Sequence, residues 1–431
     1  RLLFMQSSGG LTDATQFQGK DSILSGPAGG IVGAVRTALH AGCDRIIGFD
    51  MGGTSTDVAH FAGADAADLE RTFDAQVAGV RVRAPMLAIH TVAAGGGSIL
   101  HFDGARMRVG PDSAGANPGP ACYGKNGPLT ITDCNLLLGR IQPAFFPQVF
   151  GADGCQALDA DATRECFTAL HNKIFNINNN LKDIAAVADG FLRIAVENMA
   201  NAIKKISVQR GHDITAYTLA CFGGAAGQHA CMVADALGMP RIYIHPLAGV
   251  LSAYGMGLAD ITAMHEQAVE ARLESELLPR LDALINSLSA AARDEVAKQD
   301  VPYTAITLKA RAHLKYDGTD STLTVDYGTV AAMQAAFEKS YLQRYSFLMP
   351  ERVLVVEAVS VEAIGNISNS EPQAVAATEA DAATALTQVQ MYSNGGWHQV
   401  PVYARTALSP GQHVSGPAII TDANATTVID A

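Results

Sequence analysis

The sequence predicts a large α/β protein, and three observations carry that prediction. Residues 46–58, IIGFDMGGTSTDV, run an apolar strand into Asp-x-Gly-Gly-Thr and leave along a second strand. A second glycine cluster, Phe222-Gly223-Gly224-Ala225-Ala226-Gly227, stands between a strand at 217–222 and a helix at 228–237 that stops at Gly238; a strand at 241–245 completes a β-α-β unit. Between the two clusters, residues 183–209 carry Val187, Phe191, Ile194, Asn198, Ala202, Ile203 and Ile206 near one face of a long helix ending at Gly211.

The first cluster has the chemistry of a phosphate grip. Gly52 and Gly53 let the backbone turn sharply and bring N–H groups toward phosphate oxygens; Thr54, Ser55 and Thr56 add hydroxyls. Asp50 and Asp57 are not needed for a turn, and carboxylates at a strand end cost stability unless a cation or donor meets them. The second cluster leaves room for a flat base or ribose and exposes helix N–H groups, which points to Gly223, Gly224 and Ala225. A Walker A pattern, G-x-x-x-x-G-K-S/T, is absent, as is G-x-G-x-x-G between strand and helix, so a nucleotide would bind by another architecture. The hairpin resembles the phosphate loop of the actin, hexokinase and heat-shock ATPase superfamily. That resemblance implies a ribonuclease-H-like domain, with one such loop in each of two domains closing around ATP.

Composition agrees. The 431 residues are 48% hydrophobic and 17% charged with 41 glycines, enough for two or three domains with substantial cores. No apolar run reaches the ~18 residues that span a bilayer, and no signal peptide is visible. A net charge of −12 argues against nucleic acid as a partner. Seven cysteines without a C-x-x-C pair read as reduced thiols of a cytoplasmic protein, and the histidines show no zinc spacing.

In chain order, the sequence opens at Arg1 without an initiator methionine and reads as the middle of a domain. Residues 22–41 carry helical spacing at Ile31, Val32, Val35, Ala38 and Leu39, with the SGPAGG glycines expected to cap the N-terminus. Residues 71–93 alternate as strands and reach Gly95-Gly96-Gly97-Ser98, whose N–H groups are candidates, with His90, to stabilise a developing oxyanion. Residues 109–124 form a long Gly/Pro loop, functional or an ordered cover. A short strand and helix follow at 129–140, with Asp133 placed as N-cap. Residues 266–300 read as a charged amphipathic helix, 303–327 as strands, and 330–346 as a helix bearing Phe337, Tyr341 and Tyr345. The expected domains are 1–265 and 266–365, then an Ala/Thr/Glu-rich linker at 366–385 and a β-rich tail at 386–431 containing Trp397.

The stretches GFDMGGTSTDV, IHTVAAGGGS, VGPDSAGANPGPACYG, LTITDCNLLLGR, QRGHD, ACFGGAAGQHACMVADALGM and HLKYDGTD resemble the hydantoinase A/5-oxoprolinase family across most of residues 6–365. QRGHD and FGGAAGQHAC look more like the 5-oxoprolinase branch than the hydantoinases or ketone carboxylases. The resemblance implies ATP-dependent opening of 5-oxo-L-proline to L-glutamate through a phosphorylated lactam. It places magnesium on Asp50, the phosphates on Gly52 to Thr56, and Asp57 beside the transferred phosphate. Only one Asp-x-Gly-Gly-Thr loop is present, since Asp317-Gly318-Thr319 lacks the second glycine. The first phosphate loop would therefore precede Arg1, and a hydantoinase B-type half, in the same chain or as a subunit, would complete a homo-oligomeric enzyme. By itself this stretch is expected to be inactive, with its tail docking the partner half. The alternatives are an ATP-dependent hydantoinase or ketone carboxylase, or an actin-like nucleotide switch; the Gly95–Ser98 run and the Gly/Pro loop favour an enzyme.

Overall fold

The apolar run at 46–49 becomes the centre of a five-stranded sheet in a computed structural model that describes residues 1–77, 80–176, 182–366 and 382–431. Across this sheet the strands are Arg241–Tyr243, Thr218–Phe222, Arg45–Met51, Thr56–Ala62 and Ile89–Val92. Numbered along the chain within this sheet, the order is 5-4-1-2-3, and the second strand runs antiparallel to both neighbours while the other pairings are parallel. Strand alternation separates two cores. Ile47, Phe49, Val58, Leu219 and Cys221 pack with the helix Ile184–Ile206, whereas Ile46, Ala59, Phe61, Ala220 and Phe222 pack with the helix Ser25–His40.

The long helix starts where Asp183 accepts a hydrogen bond from Ala186 N at 2.8 Å, and Gly211 ends the following turn at φ +81°. The glycines of SGPAGG do not cap the earlier helix; they lie inside it, from Ser25 onward. Their use is close packing. A Cβ at Gly29 would stand 2.8 Å from Ser252 O, on the crossing helix Leu251–Leu258.

Asp133 is likewise not an N-cap. Thr130 takes that position, and Asp133, three residues on, completes a capping box. Its buried carboxylate accepts from Thr130 N at 2.8 Å, Cys122 N at 2.8 Å and Thr163 Oγ1 at 3.1 Å, which ties the Gly/Pro loop to the core.

The helix expected at 266–300 begins only at Leu278 and ends at Ala297; before it, Ile261–Arg272 is a strand. Charged residues there disguise a period-two pattern, and the ladder partner Leu354–Gly365, roughly ninety residues later, decides the conformation. Leu3–Met5, Leu11–Asp13, Ile261–Arg272, Leu354–Gly365, Ile306–Tyr316 and Leu323–Asp326 thus form one sheet. The helix Val330–Tyr345 buries Met333, Phe337 and Tyr341 against it.

Most of the expected linker, residues 367–381, lies outside the described residues. The tail forms a four-stranded sheet, Thr387–Ser393, Gly396–Ala404, Ala418–Thr421 and Thr426–Ile429. It seats on the core through Tyr392 N to Leu138 O at 2.8 Å and the bidentate pair of Arg140 with Asp430 at 2.6 and 3.0 Å. No helix among the described residues is long and apolar enough to cross a membrane.

Candidate nucleotide site

Asp50 and Asp57 are direct ladder partners on neighbouring strands, so their side chains share a sheet face. Burial first, and then the charge of Asp57, push the Asp50 carboxyl up to about 7, against a hydrogen bond from the Ser252 side chain. Burial also raises Asp57, which accepts from Thr91 Oγ1 at 2.5 Å. Among the described residues no lysine or arginine forms an ion pair with either carboxylate. Ser252 carries no motif that would have found it; Thr91 was legible only once the strand register was known.

The turn between the strands closes with Gly52 N donating to Ser55 O at 3.1 Å. A Cβ at Gly52 or Gly53 would enter open space, and Gly53 and Thr54 are exposed, so this lip faces outward with Ser55 partly exposed beside it. Thr56 differs from the expectation. It is fully buried, and its hydroxyl donates to Ala94 O, which makes it part of the frame and not a phosphate donor.

The Gly95–Ser98 run is also put to another use. Gly96 N donates to Gly52 O at 3.1 Å, Gly97 N to Gly53 O at 2.6 Å, Gly95 N to Ser98 Oγ at 2.9 Å, and Ser98 N to Gly95 O at 3.1 Å. These N–H groups are spent and cannot receive an oxyanion. They hold the turn from behind. Glycine is required because a Cβ at Gly97 would stand 2.9 Å from Gly53 O. Gly97→Ala is therefore expected to lower stability by about 1–3 kcal/mol, read from the denaturant midpoint.

His90 does not join the site. Its ladder partner is Val58, which places it on the sheet face opposite Asp57, where burial, then Lys205 and Arg210, hold its imidazole below the ordinary range.

The second glycine cluster meets the first. Gly223, at φ +86°, has its Cβ position 2.4 Å from Asp50 Oδ1, and Ala225 N donates to Met51 O at 3.0 Å. Gly224 is exposed, and the tail's turn reaches it: Asn424 O lies 3.6 Å from the Gly224 Cβ position and 2.7 Å from that of Gly249. The structure thus gathers Asp50, Asp57, Gly52 to Ser55 and Gly223 to Ala225 at the carboxyl ends of two parallel strands. This is an open, outward-facing lip beside two half-buried carboxylates that face one another.

Comparison with known proteins points to one family. The hydantoinase/oxoprolinase family model matches residues 1–265, and the hydantoinase/oxoprolinase C-terminal domain model matches residues 270–431. The chain is 40% identical to 5-oxoprolinase 1 of Arabidopsis thaliana over 446 residues, covering 100% of this chain and 34% of that protein. It is 38% identical to 5-oxoprolinase of Dictyostelium discoideum, covering 99% of this chain and 35% of that protein. The chain spans about a third of the length of these curated relatives. Among solved structures, the ATP-dependent caprolactamase of Pseudomonas jessenii superposes with a TM-score of 0.86 at 27% identity, over 99% of this chain and 62% of that one.

Proposed function

Because this chain belongs to the hydantoinase/oxoprolinase family, we propose that it forms part of an ATP-dependent lactam hydrolase that opens 5-oxo-L-proline to L-glutamate. The observation that carries the reading is the facing pair Asp50 and Asp57 beside the open Gly52–Ser55 lip and the Gly223–Ala225 loop. The 5-4-1-2-3 sheet with its antiparallel second strand supports a ribonuclease-H-like, actin-type ATPase domain.

A divalent cation fits this donor set, because two half-buried carboxylates face one another with no ion-paired base among the described residues. Asp50 would hold magnesium, directly or through water, with Asp57 next to it. Magnesium bound there neutralises phosphate charge. Ser252 and Thr91 orient the two carboxylates, and the lip offers the Gly53 main chain with the Thr54 and Ser55 hydroxyls to phosphate oxygens. Gly223, Gly224 and Ala225 lie along adenosine, with the Asn424 turn at the outer edge.

A lactam is a resonance-stabilised amide with a poor leaving group. Transfer of the terminal phosphoryl group to the amide oxygen creates an imidate-like centre; water then adds to the carbon, collapse breaks the C–N bond as the ring nitrogen takes a proton and leaves an open-chain acyl phosphate, and a second water releases phosphate and the carboxylate. The chain's contribution to the first step is position and charge. The remaining parts of the reading are a second phosphate loop, a hydantoinase B-type half and a homo-oligomer. The seven free thiols support a cytoplasmic setting.

The likeness to caprolactamase favours a second reading, a larger lactam, on the same scaffold. The test is ADP and glutamate release by the full-length polypeptide with 5-oxoproline, caprolactam, hydantoin or acetone supplied in parallel. 5-Oxoproline is expected to stimulate ADP release in step with glutamate; ATP turnover indifferent to it would discard that substrate.

A further inference from the structure

On the sheet face opposite Asp57, three metal-ligating side chains converge outside the nucleotide site. His60 lies on the strand Thr56–Ala62, Glu70 just before the strand Arg71–Val77, and His212 after the turn at Gly211. One donor atom from each lies within 4.8 Å of the others. The two imidazole rings stack with centroids 3.9 Å apart and planes at 28°. His60 Nδ1 is 2.7 Å from Glu70 Oε1, and the other carboxylate oxygen accepts from Arg210 Nη1 at 3.0 Å. Glu70 and His212 line a cleft of about 570 Å³ between the core and the sheet-and-helix module, which gives the cluster access from solvent.

We propose that His60, Glu70 and His212 form a site for a transition-metal dication of the zinc class, with an open coordination position facing this cleft. Two imidazoles and one carboxylate are the donor set of three-ligand zinc centres that keep a position for water or substrate, and nitrogen donors select zinc or cobalt over magnesium. Each ligand already has an outer partner. His60 Nε2 lies 2.9 Å from Tyr217 OH, a group that donates or accepts, so the ring can move its proton from Nδ1 to Nε2 when a metal takes Nδ1. His212 Nδ1 meets Gln343 Nε2 at 3.1 Å, and Arg210 orients Glu70. Arg210, Arg311 and Arg344 on the cleft wall favour an anionic fourth ligand.

The test is titration of the chelator-stripped full-length polypeptide with zinc by calorimetry, and with cobalt while following its visible absorption. A zinc-displaceable cobalt spectrum is expected, unaffected by excess magnesium. His212→Gln is expected to weaken this binding on the order of 100-fold and Tyr217→Phe about tenfold, with both variants melting as the parent does without metal. A parent protein with no zinc-displaceable cobalt absorption overturns the proposal without any variant. So does affinity unchanged by both His212→Gln and Glu70→Gln.

Discussion

Asp50→Asn should unfold in higher denaturant than the parent at pH 8 but at the same midpoint near pH 3, in magnesium-free buffer. Burial and the charge of Asp57 push the folded carboxyl up to about 7 from the ordinary aspartate value of 3.8. Below pH 3.8 both folded and unfolded chains carry the proton, and stability is whole. Between 3.8 and about 7 the unfolded chain ionises while the folded one resists, so stability falls as pH rises and levels off above 7. The interval corresponds to about 4 kcal/mol. Asparagine carries no such ionisation, so the variant keeps what the parent loses. Magnesium at the proposed site would narrow the difference, because it would favour the ionised carboxylate in the parent alone. The same substitution is expected to lower kcat/KM for ATP turnover by the full-length polypeptide on the order of 10³-fold. A variant that is more stable and less active marks a carboxylate retained for chemistry. Equal shifts at both pH values would contradict this account of Asp50.

Gly255→Ala should cost about 3 kcal/mol or more. The added methyl would stand 2.0 Å from Gly29 O and 2.6 Å from Gly33 N, both backbone atoms of the crossing helix, which cannot swing aside as a side chain does. The helices must separate, and Ser252 on the moving helix donates to Asp50. Loss of stability is therefore expected together with weaker magnesium-dependent nucleotide binding. Gly257→Ala on the same helix meets nothing within 4 Å and serves as the control, neutral or slightly stabilising. Equal denaturant midpoints for the two variants would refute the close crossing.

The hairpin and the β-α-β unit were legible because their signals are local. A continuous apolar run through Ile46 to Phe49, two glycines at a turn, and a helix that stops at Gly238 each depend on a few neighbouring residues. Misreadings arose where the deciding partner was distant. Residues 266–272 looked helical because their charges hide the alternation that Leu354–Gly365 completes. Asp133 looked like a cap because its donors at Cys122 and Thr163 are remote in the chain.

By itself, the sequence determined that two glycine clusters would sit at strand ends with Asp50 and Asp57 beside one of them. The tertiary structure alone decided what each polar group was free to do. Thr56 gives its hydroxyl to Ala94, the Gly96 and Gly97 amides are taken by the turn they support and that of Gly95 by Ser98, and His90 falls on the wrong face of the sheet. Residue type sets which hydrogen bonds a group is able to make, but a donor holds only as many partners as it has protons, and the folded chain chooses them.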